Sequence, residues 1–543
     1  MNLCRKIALL IAAIISTAVA VANPPKVVVN IVVGAMRAED MNRYHNGFGE
    51  GGFKRLMRGV SYAAGEYNFM QTTTPATLAT LTTGAQPSTH GIVADHWYDY
   101  VSNKRIDLIY DRSVAGFGYN DSNGRYSPTN LLAPTLGDAL HASSPESRIV
   151  TVALDPVSAI VSGGRQGVAY WLEQSRLTWT SSTHYMISLP AWVEEYNRSH
   201  INMSFIDAWS LVRPTSTYVN RRRGVVNIPT AKRNSQQTTL KTIGLTTVFT
   251  PEKASDMLAY TPAGVSATFA YAKQLFTKYH LGEDNAPDIL NIVLDAPRNI
   301  AEVYGPESLE YEDMLYRTDD ALAEFLTYLF AQINEQDVLV VLTSDHGTSP
   351  SYDAAPKPME RINMLQSEVI INGFLNARHG QGSWVTEITN RSIWLNHVLI
   401  YNKGLNLAEV QEEVASFVMQ FRGVSHTLSS TAMRSSYFGS GYGEKMQNGF
   451  YPRRSGDVVL NLMPGWIEQD NRRRSMSGSM YGYDTNVPLL FYGNGLPHRR
   501  VDSIEDMTSV APTIAARLGI MPPAANEGEQ LEEVTQASTT KRE

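Results

Sequence analysis

Val338-Leu339-Val340-Val341-Leu342-Thr343-Ser344-Asp345-His346-Gly347 is the stretch that decides the fold. Its apolar half is β-branched and leucine-rich, without the alternation of a half-exposed strand. Such a run reads as a strand buried on both faces, in the middle of a parallel sheet. Ligands in open α/β sheets collect beyond the carboxyl ends of the strands, which is where Asp345 and His346 stand. An adjacent carboxylate and imidazole can serve one zinc ion, although Asp-His-Gly also occurs as a simple turn.

Working outward, Val27–Val33, Ile289–Leu294 and Val487–Tyr492 have the same buried-strand character. Leu309 to about Phe330 reads as a long amphipathic helix with Leu315, Leu322, Phe325, Leu326 and Leu329 on its apolar side. Strand, helix and strand at this spacing predict βαβ units. The expected fold class is therefore α/β, a central mostly parallel sheet flanked by helices, with cap or insertion segments. The domain is expected over 23–527, with insertions at about 160–280 and 350–480. Ile504 to Leu518 reads as a closing helix, and 528–543 as a disordered polar tail.

The first 22 residues read as a cleaved secretory signal. Arg5 and Lys6 precede an apolar run from Ile7 to about Val19, and small residues at Ala18-Val19-Ala20 or Ala20-Val21-Ala22 offer cleavage sites. The run is too short to span a membrane comfortably, so an exported protein, periplasmic or secreted, with no membrane span after cleavage is expected. Cys4, inside that segment, is the only cysteine. A chain without it has no disulfide, no thiolate metal site and no cysteine nucleophile.

A formal charge of −7 over 543 residues is too mild to imply a polyanionic partner. Arg221-Arg222-Arg223 and Arg472-Arg473-Arg474 are short runs without a basic stripe around them, and they read as solvated loops rather than a nucleic-acid site.

Several further segments fall in order along the chain. Val32-Val33-Gly34-Ala35-Met36-Arg37 ends the first strand, followed by Gly51-Gly52-Phe53-Lys54-Arg55-Leu56. Thr72-Thr73-Thr74-Pro75, His90-Gly91-Ile92-Val93 and His96-Trp97-Tyr98-Asp99 come next. Val303-Tyr304-Gly305-Pro306, Tyr483-Asp484-Thr485-Asn486-Val487-Pro488 and Asp506 to Ala515 complete the series. Together they resemble the alkaline phosphatase superfamily. The likeness is to the single-threonine alkaline phosphatases of the PafA type and to the type I phosphodiesterase/nucleotide pyrophosphatases. It spans nearly the whole chain after the signal, and it implies a threonine or serine nucleophile bridging two zinc ions held by aspartates and histidines.

The resemblance then assigns each role to a position. Thr74 is the candidate nucleophile, and Asp345 and His346 are retained metal ligands. Four other ligand positions are substituted: Gly34 where an aspartate is expected, Arg298 and Glu302 for an aspartate and a histidine, and Asn486 for the last histidine. The phosphate-holding lysine and arginine correspond to Asp155 and Val157, and the usual asparagine before Trp-Tyr-Asp to Asp95 or His96. Arg298 cannot ligate a metal, Asn486 does so poorly, and Asp155 would repel a phosphate dianion. Arg298 is expected to occupy the vacated position and to pair with Asp345 or Glu302, so that no buried charge is left alone.

These substitutions predict a pseudo-phosphatase with no cofactor or only a weakly bound one. It would act on an unidentified envelope protein or small ligand by binding or scaffolding. The competing expectation is an active phosphomonoesterase or phosphodiesterase with an altered or single-metal site, zinc-dependent, drawing on neighbours such as Asp40, His90 or Asp295. A hydrolase of another class would need a motif such as a Gly-x-Ser-x-Gly elbow or a zincin helix, and the chain has neither.

Overall fold

The computed structural model describes residues 23–119, 123–199, 201–204, 209–220, 258–351, 360–470 and 472–536. The expected signal and the Arg221-Arg222-Arg223 run lie outside them.

Among the described residues, ten strands form the central sheet. In chain order they are β1 (Val27–Val33), β2 (Val60–Glu66), β3 (Ile149–Ala153), β4 (Val168–Glu173) and β5 (Thr178–Thr180). They continue with β6 (Asp288–Leu294), β7 (Val338–Thr343), β8 (Asn486–Val487), β9 (Leu489–Gly493) and β10 (Arg499–Asp506). The order across the sheet is β8-β2-β9-β7-β1-β6-β3-β4-β5, with β10 also paired to β2. The centre, from β7 through β1, β6 and β3 to β4, is parallel; β9 runs antiparallel to β7 and β2, and β5 antiparallel to β4. The sheet is thus mixed, parallel where the apolar runs are longest.

Side-chain amides inside these runs hydrogen-bond across the strands. Asn30 of β1 donates to Asn291 of β6 at 2.8 Å, and Asn291 donates to Thr151 of β3 at 3.0 Å. Buried amides survive in a sheet on that condition.

Helices cover both faces, giving two apolar layers. Those used below are α1 (Thr74–Thr83), α2 (Pro156–Gly163), α3 (Ala263–Lys278), α4 (Asp295–Tyr304), α5 (Leu309–Gln332) and α6 (Val510–Leu518). The helix expected from Leu309 is α5.

Three boundaries differ from expectation. The stretch 160–280 is not simply an insertion: it supplies β4 and β5 to the sheet and α3 to one face. The edge strand β5 is only Thr-Trp-Thr, and β4 beside it carries tyrosine and tryptophan, so neither repeats the β-branched run of the centre. Ile504 belongs to the exposed strand β10, and the helix starts at Val510. The polar tail is ordered to Gln536, because Leu531 and Val534 are buried against the core beside α6.

Residues 361–468 build a second, smaller layer. Val385–Thr389, Ser392–Leu395, Val458–Leu462 and Val424–Ser429 form an antiparallel four-stranded sheet under the helices Met364–His379 and Leu407–Val418, with its own core.

Candidate functional site

Three adjacent strands end at one level. The register pairs Val33 with Leu294 and Val32 with Thr343, so the residues after them share one edge: Gly34 after β1, Asp295 after β6, Ser344 and Asp345 after β7. Helix α4 starts immediately after β6 and lies against the end of β1. A Cβ at Gly34 would sit 2.8 Å from Arg298 Cβ and 2.9 Å from the Leu294 carbonyl oxygen. Gly347 is needed for a similar reason: a Cβ there would come within 2.0 Å of the Tyr483 carbonyl oxygen. Its N–H donates to the Asp484 carbonyl at 2.8 Å, holding the Asp345-His346 turn in place.

Helix α1 brings the threonine. Thr74 is its first residue, Pro75 follows where no N–H is required, and the helix is buried almost throughout. The Thr74 hydroxyl donates to Asp345 Oδ2 at 2.8 Å, lies 3.1 Å from His346 Nε2, and accepts from Arg298 Nη1 at 2.6 Å. Arg298 Nη1 is also 3.3 Å from Asp345 Oδ2, and its Nη2 is 3.2 Å from Asp295 Oδ1. His346 Nδ1 is 2.6 Å from the Gly347 carbonyl oxygen, which can only accept, so Nδ1 carries a proton and Nε2 faces the threonine. Asp345 Oδ1 accepts from the N–H groups of Ala35 and His346 at 2.8 and 2.9 Å.

The charges follow from these contacts. Burial pushes the Asp345 carboxyl up, but His346, Arg298 and the hydrogen bonds from Ala35 and Thr74 outweigh it and hold the group below the usual carboxylate range. Burial raises Asp295, and nearby Asp155 adds to the rise, while Arg298 offsets part of it. Arg298 is itself buried, which disfavours its charge; Asp295, Asp345 and Asp155 together keep it firmly protonated. Its side chain is 12 % exposed.

The other expected positions are dispersed around this group. Asp155 caps α2, accepting from the Val157 N–H at 2.7 Å, while its own N–H donates to Asp295 Oδ2 at 2.9 Å. Val157 packs on the apolar layer beneath. Glu302 does not take the Arg298 guanidinium: its carboxylate faces Arg473 at 3.4 Å, and its carbonyl accepts from the Arg474 N–H at 2.7 Å. Asn486 accepts from the Thr485 hydroxyl at 3.2 Å in the short strand β8. His96 lies 2.8 Å from Asp95 and 2.7 Å from Thr389, bridging to the smaller sheet. Asp40 and His90 are apart from the group. Asp40 accepts from the Arg37 N–H and Tyr311, and His90 from the Ile92 N–H.

Asp295 is the member that pattern reading undervalues. The available signal is its place as the first helical residue after a buried strand, one turn before an arginine.

Two zinc ions do not fit this donor set. Among the described residues no three His, Cys, Asp or Glu side chains gather as a metal-holding group. The Thr74 hydroxyl and Asp345 Oδ2 are already in contact with the Arg298 guanidinium, and Asp345 Oδ1 with two backbone N–H groups.

The comparisons agree with the architecture. The type I phosphodiesterase / nucleotide pyrophosphatase family profile matches residues 28–484. The chain is 27 % identical to alkaline phosphatase PafA of Elizabethkingia meningoseptica over 517 residues, covering 94 % of each protein. It is 28 % identical to alkaline phosphatase PhoV of Synechococcus elongatus over 517 residues, covering 93 % of this chain and 92 % of that one. The crystal structure of wild-type PafA superposes with a TM-score of 0.86 at 25 % identity, over 94 % of this chain and 99 % of that one. With the family profile spanning most of its length and the fold superposing on that of PafA, this chain belongs to the type I phosphodiesterase / nucleotide pyrophosphatase family of the alkaline phosphatase superfamily.

Proposed function

We propose that this protein is an exported pseudo-phosphatase: it keeps the family fold, has lost two-zinc hydrolysis, and acts in the cell envelope by binding or scaffolding. The observation that carries the reading is the Arg298 guanidinium set against Thr74 and Asp345. A cation built into the protein takes the electrostatic role of a metal toward Asp345, but it offers no open coordination position and cannot act as a Lewis acid. Asp155 and Asp295 stand close by where a phosphate dianion would meet repulsion. The basic, apolar, small-residue order of residues 1–22 supports export. No helix among the described residues is long and apolar enough to cross a membrane.

One observation favours a second reading. Thr74, Asp345 and His346 converge within hydrogen-bond distance, so a phosphoester hydrolase with an altered or single-metal site keeps its nucleophile in place.

Zinc content of the purified protein, measured with turnover of p-nitrophenyl phosphate and bis-p-nitrophenyl phosphate, separates the two. The pseudo-phosphatase reading expects substoichiometric zinc and no turnover above that of Thr74→Ala. Stoichiometric zinc with turnover abolished in Thr74→Ala overturns it.

A further inference from the structure

Away from Thr74, another hydroxyl meets an imidazole with a carboxylate behind it. His96 Nδ1 is 2.8 Å from Asp95 Oδ1, and His96 Nε2 is 2.7 Å from Thr389 Oγ1. The carboxylate, ring and hydroxyl stand in one row, drawn from two layers of the fold.

Each member is set by its backbone. The hairpin of His96–Asp99 with Lys104–Asp107 places Arg105 diagonally across from His96 on the same face. Thr389 ends the strand Val385–Thr389. The turn after it pairs Thr389 with Ser392 through Asn390 and Arg391, whose φ angles are 49° and 55°. Two successive left-handed residues are the type I′ geometry that fixes a hairpin's register.

Arg105 settles where the ring proton lies. Its Nη2 contacts His96 Nε2, and a guanidinium can only donate. Nε2 therefore presents its lone pair, Nδ1 carries the proton toward Asp95, and the Thr389 hydroxyl donates to Nε2. That is the tautomer a general base requires, and such a constellation is recognised by geometry rather than by sequence motif. Fastening the two layers would not need it. Asn390 Nδ2 already donates to the His96 carbonyl at 2.9 Å, and Gln71 to the Asn390 carbonyl. Asp95 and Arg105 are exposed and Thr389 is half-buried, so a solute can reach the hydroxyl.

We propose that Thr389 is a nucleophile for acyl transfer from an activated carboxylic ester, with His96 as general base and Asp95 as the positioning residue behind the ring. Thr389 Oγ1 attacks the ester carbonyl carbon while its proton passes to His96 Nε2. Nε2 can then no longer accept from Arg105, whose N–H is freed for the negative charge developing on the carbonyl oxygen. The bond from carbon to the alcohol oxygen breaks, the alcohol leaves with the proton from Nε2, and the acyl group stays on Thr389. Water attacks the acyl-threonine, its proton returning through Nε2 to Thr389 Oγ1, and the carboxylic acid departs. Neither step depends on whether the Thr74 group is active.

The test is hydrolysis of p-nitrophenyl acetate by the full chain in EDTA, with peptide mass mapping after an acid quench. Turnover should exceed that of buffer, with one acetyl group trapped on Thr389. Thr389→Val and His96→Gln should each lower the rate about a hundredfold or more, or to the level of buffer. Thr389→Ser should retain it, and Asp95→Asn should lower kcat with KM little changed. Turnover no faster than buffer overturns the proposal, as does an acetyl group on His96 or Thr74 instead of Thr389. A rate that survives Thr389→Val also overturns it. So does a loss in Thr389→Ser as deep as in Thr389→Val, because the hydroxyl is then only a structural contact.

Discussion

The Arg298 guanidinium and the Thr74 hydroxyl meet at 2.6 Å, joining α4 to α1 across the carboxyl end of β7. Each group's environment is set by the other's partners. The threonine donates to Asp345, and the arginine divides its charge between Asp345 and Asp295.

Removing the cation should therefore cost more than it would on a surface. Arg298→Ala leaves Asp345 buried with one counter-charge fewer, and losing one partner of a buried pair costs about 3–5 kcal/mol. Urea denaturation should show that loss. Arg298→Ala combined with Asp345→Asn should recover part of it, since the stranded charge is then gone.

Gly34→Asp should not rebuild a metal site. Its Cβ would collide with Arg298 Cβ and the Leu294 carbonyl, a backbone atom that cannot swing aside. Overpacking of this kind costs about 1–3 kcal/mol. The expected result is lower stability with no gain in bound zinc or phosphatase turnover. A functional gain from this one change would mean that α4 moves away freely.

His90 predicts a pH dependence. Its Nδ1 accepts from the Ile92 N–H at 3.0 Å, so protonating the ring means breaking that bond in a buried place. Burial, reinforced by Arg454, lowers its pKa to about 3. A depressed folded-state pKa gives stability that is complete above the unfolded value, about 6.5, and is lost as pH falls toward 3, at up to about 1.4 kcal/mol per pH unit. Buried acids whose pKa is raised to about 6, such as Asp40 and Asp484, act in the opposite sense. The effect should therefore be read as a difference: His90→Gln should flatten the acid side of the stability profile relative to wild type.

Asp457 should hold the hairpin at 96–107 to the smaller sheet. It accepts from the Leu395 N–H at 2.7 Å, Gln411 at 2.6 Å and Tyr100, and lies 2.9 Å from His397. Asp457→Ala should cost about 3 kcal/mol by leaving those donors unpaired. Amide hydrogen exchange should rise in that hairpin before it rises in β1.

The central strands and α5 were legible in the sequence, because long apolar runs have few places to go except the middle of a sheet. The edges were less so. Val168–Glu173 and the edge strand Thr178–Thr180 carry tyrosine, tryptophan and threonine, which suit a short strand or a loop equally until a neighbour is known. The tail illustrates the same limit, since two apolar residues, Leu531 and Val534, order a segment whose composition is polar.

At the site, the sequence by itself determined which groups are present. A guanidinium at 298 cannot ligate a metal, an amide at 486 does so poorly and a glycine at 34 offers no side chain, because ligand chemistry belongs to the residue type. Only the tertiary structure decided which acids the arginine meets. Glu302 lies one turn after Arg298 and Asp295 about one turn before, so helix periodicity makes both eligible. The choice was made by segments far away in the chain: β7 delivers Asp345 beside Asp295, and the Arg473 loop draws Glu302 away. Such pairings follow from the register of strands hundreds of residues apart, and no local pattern encodes them.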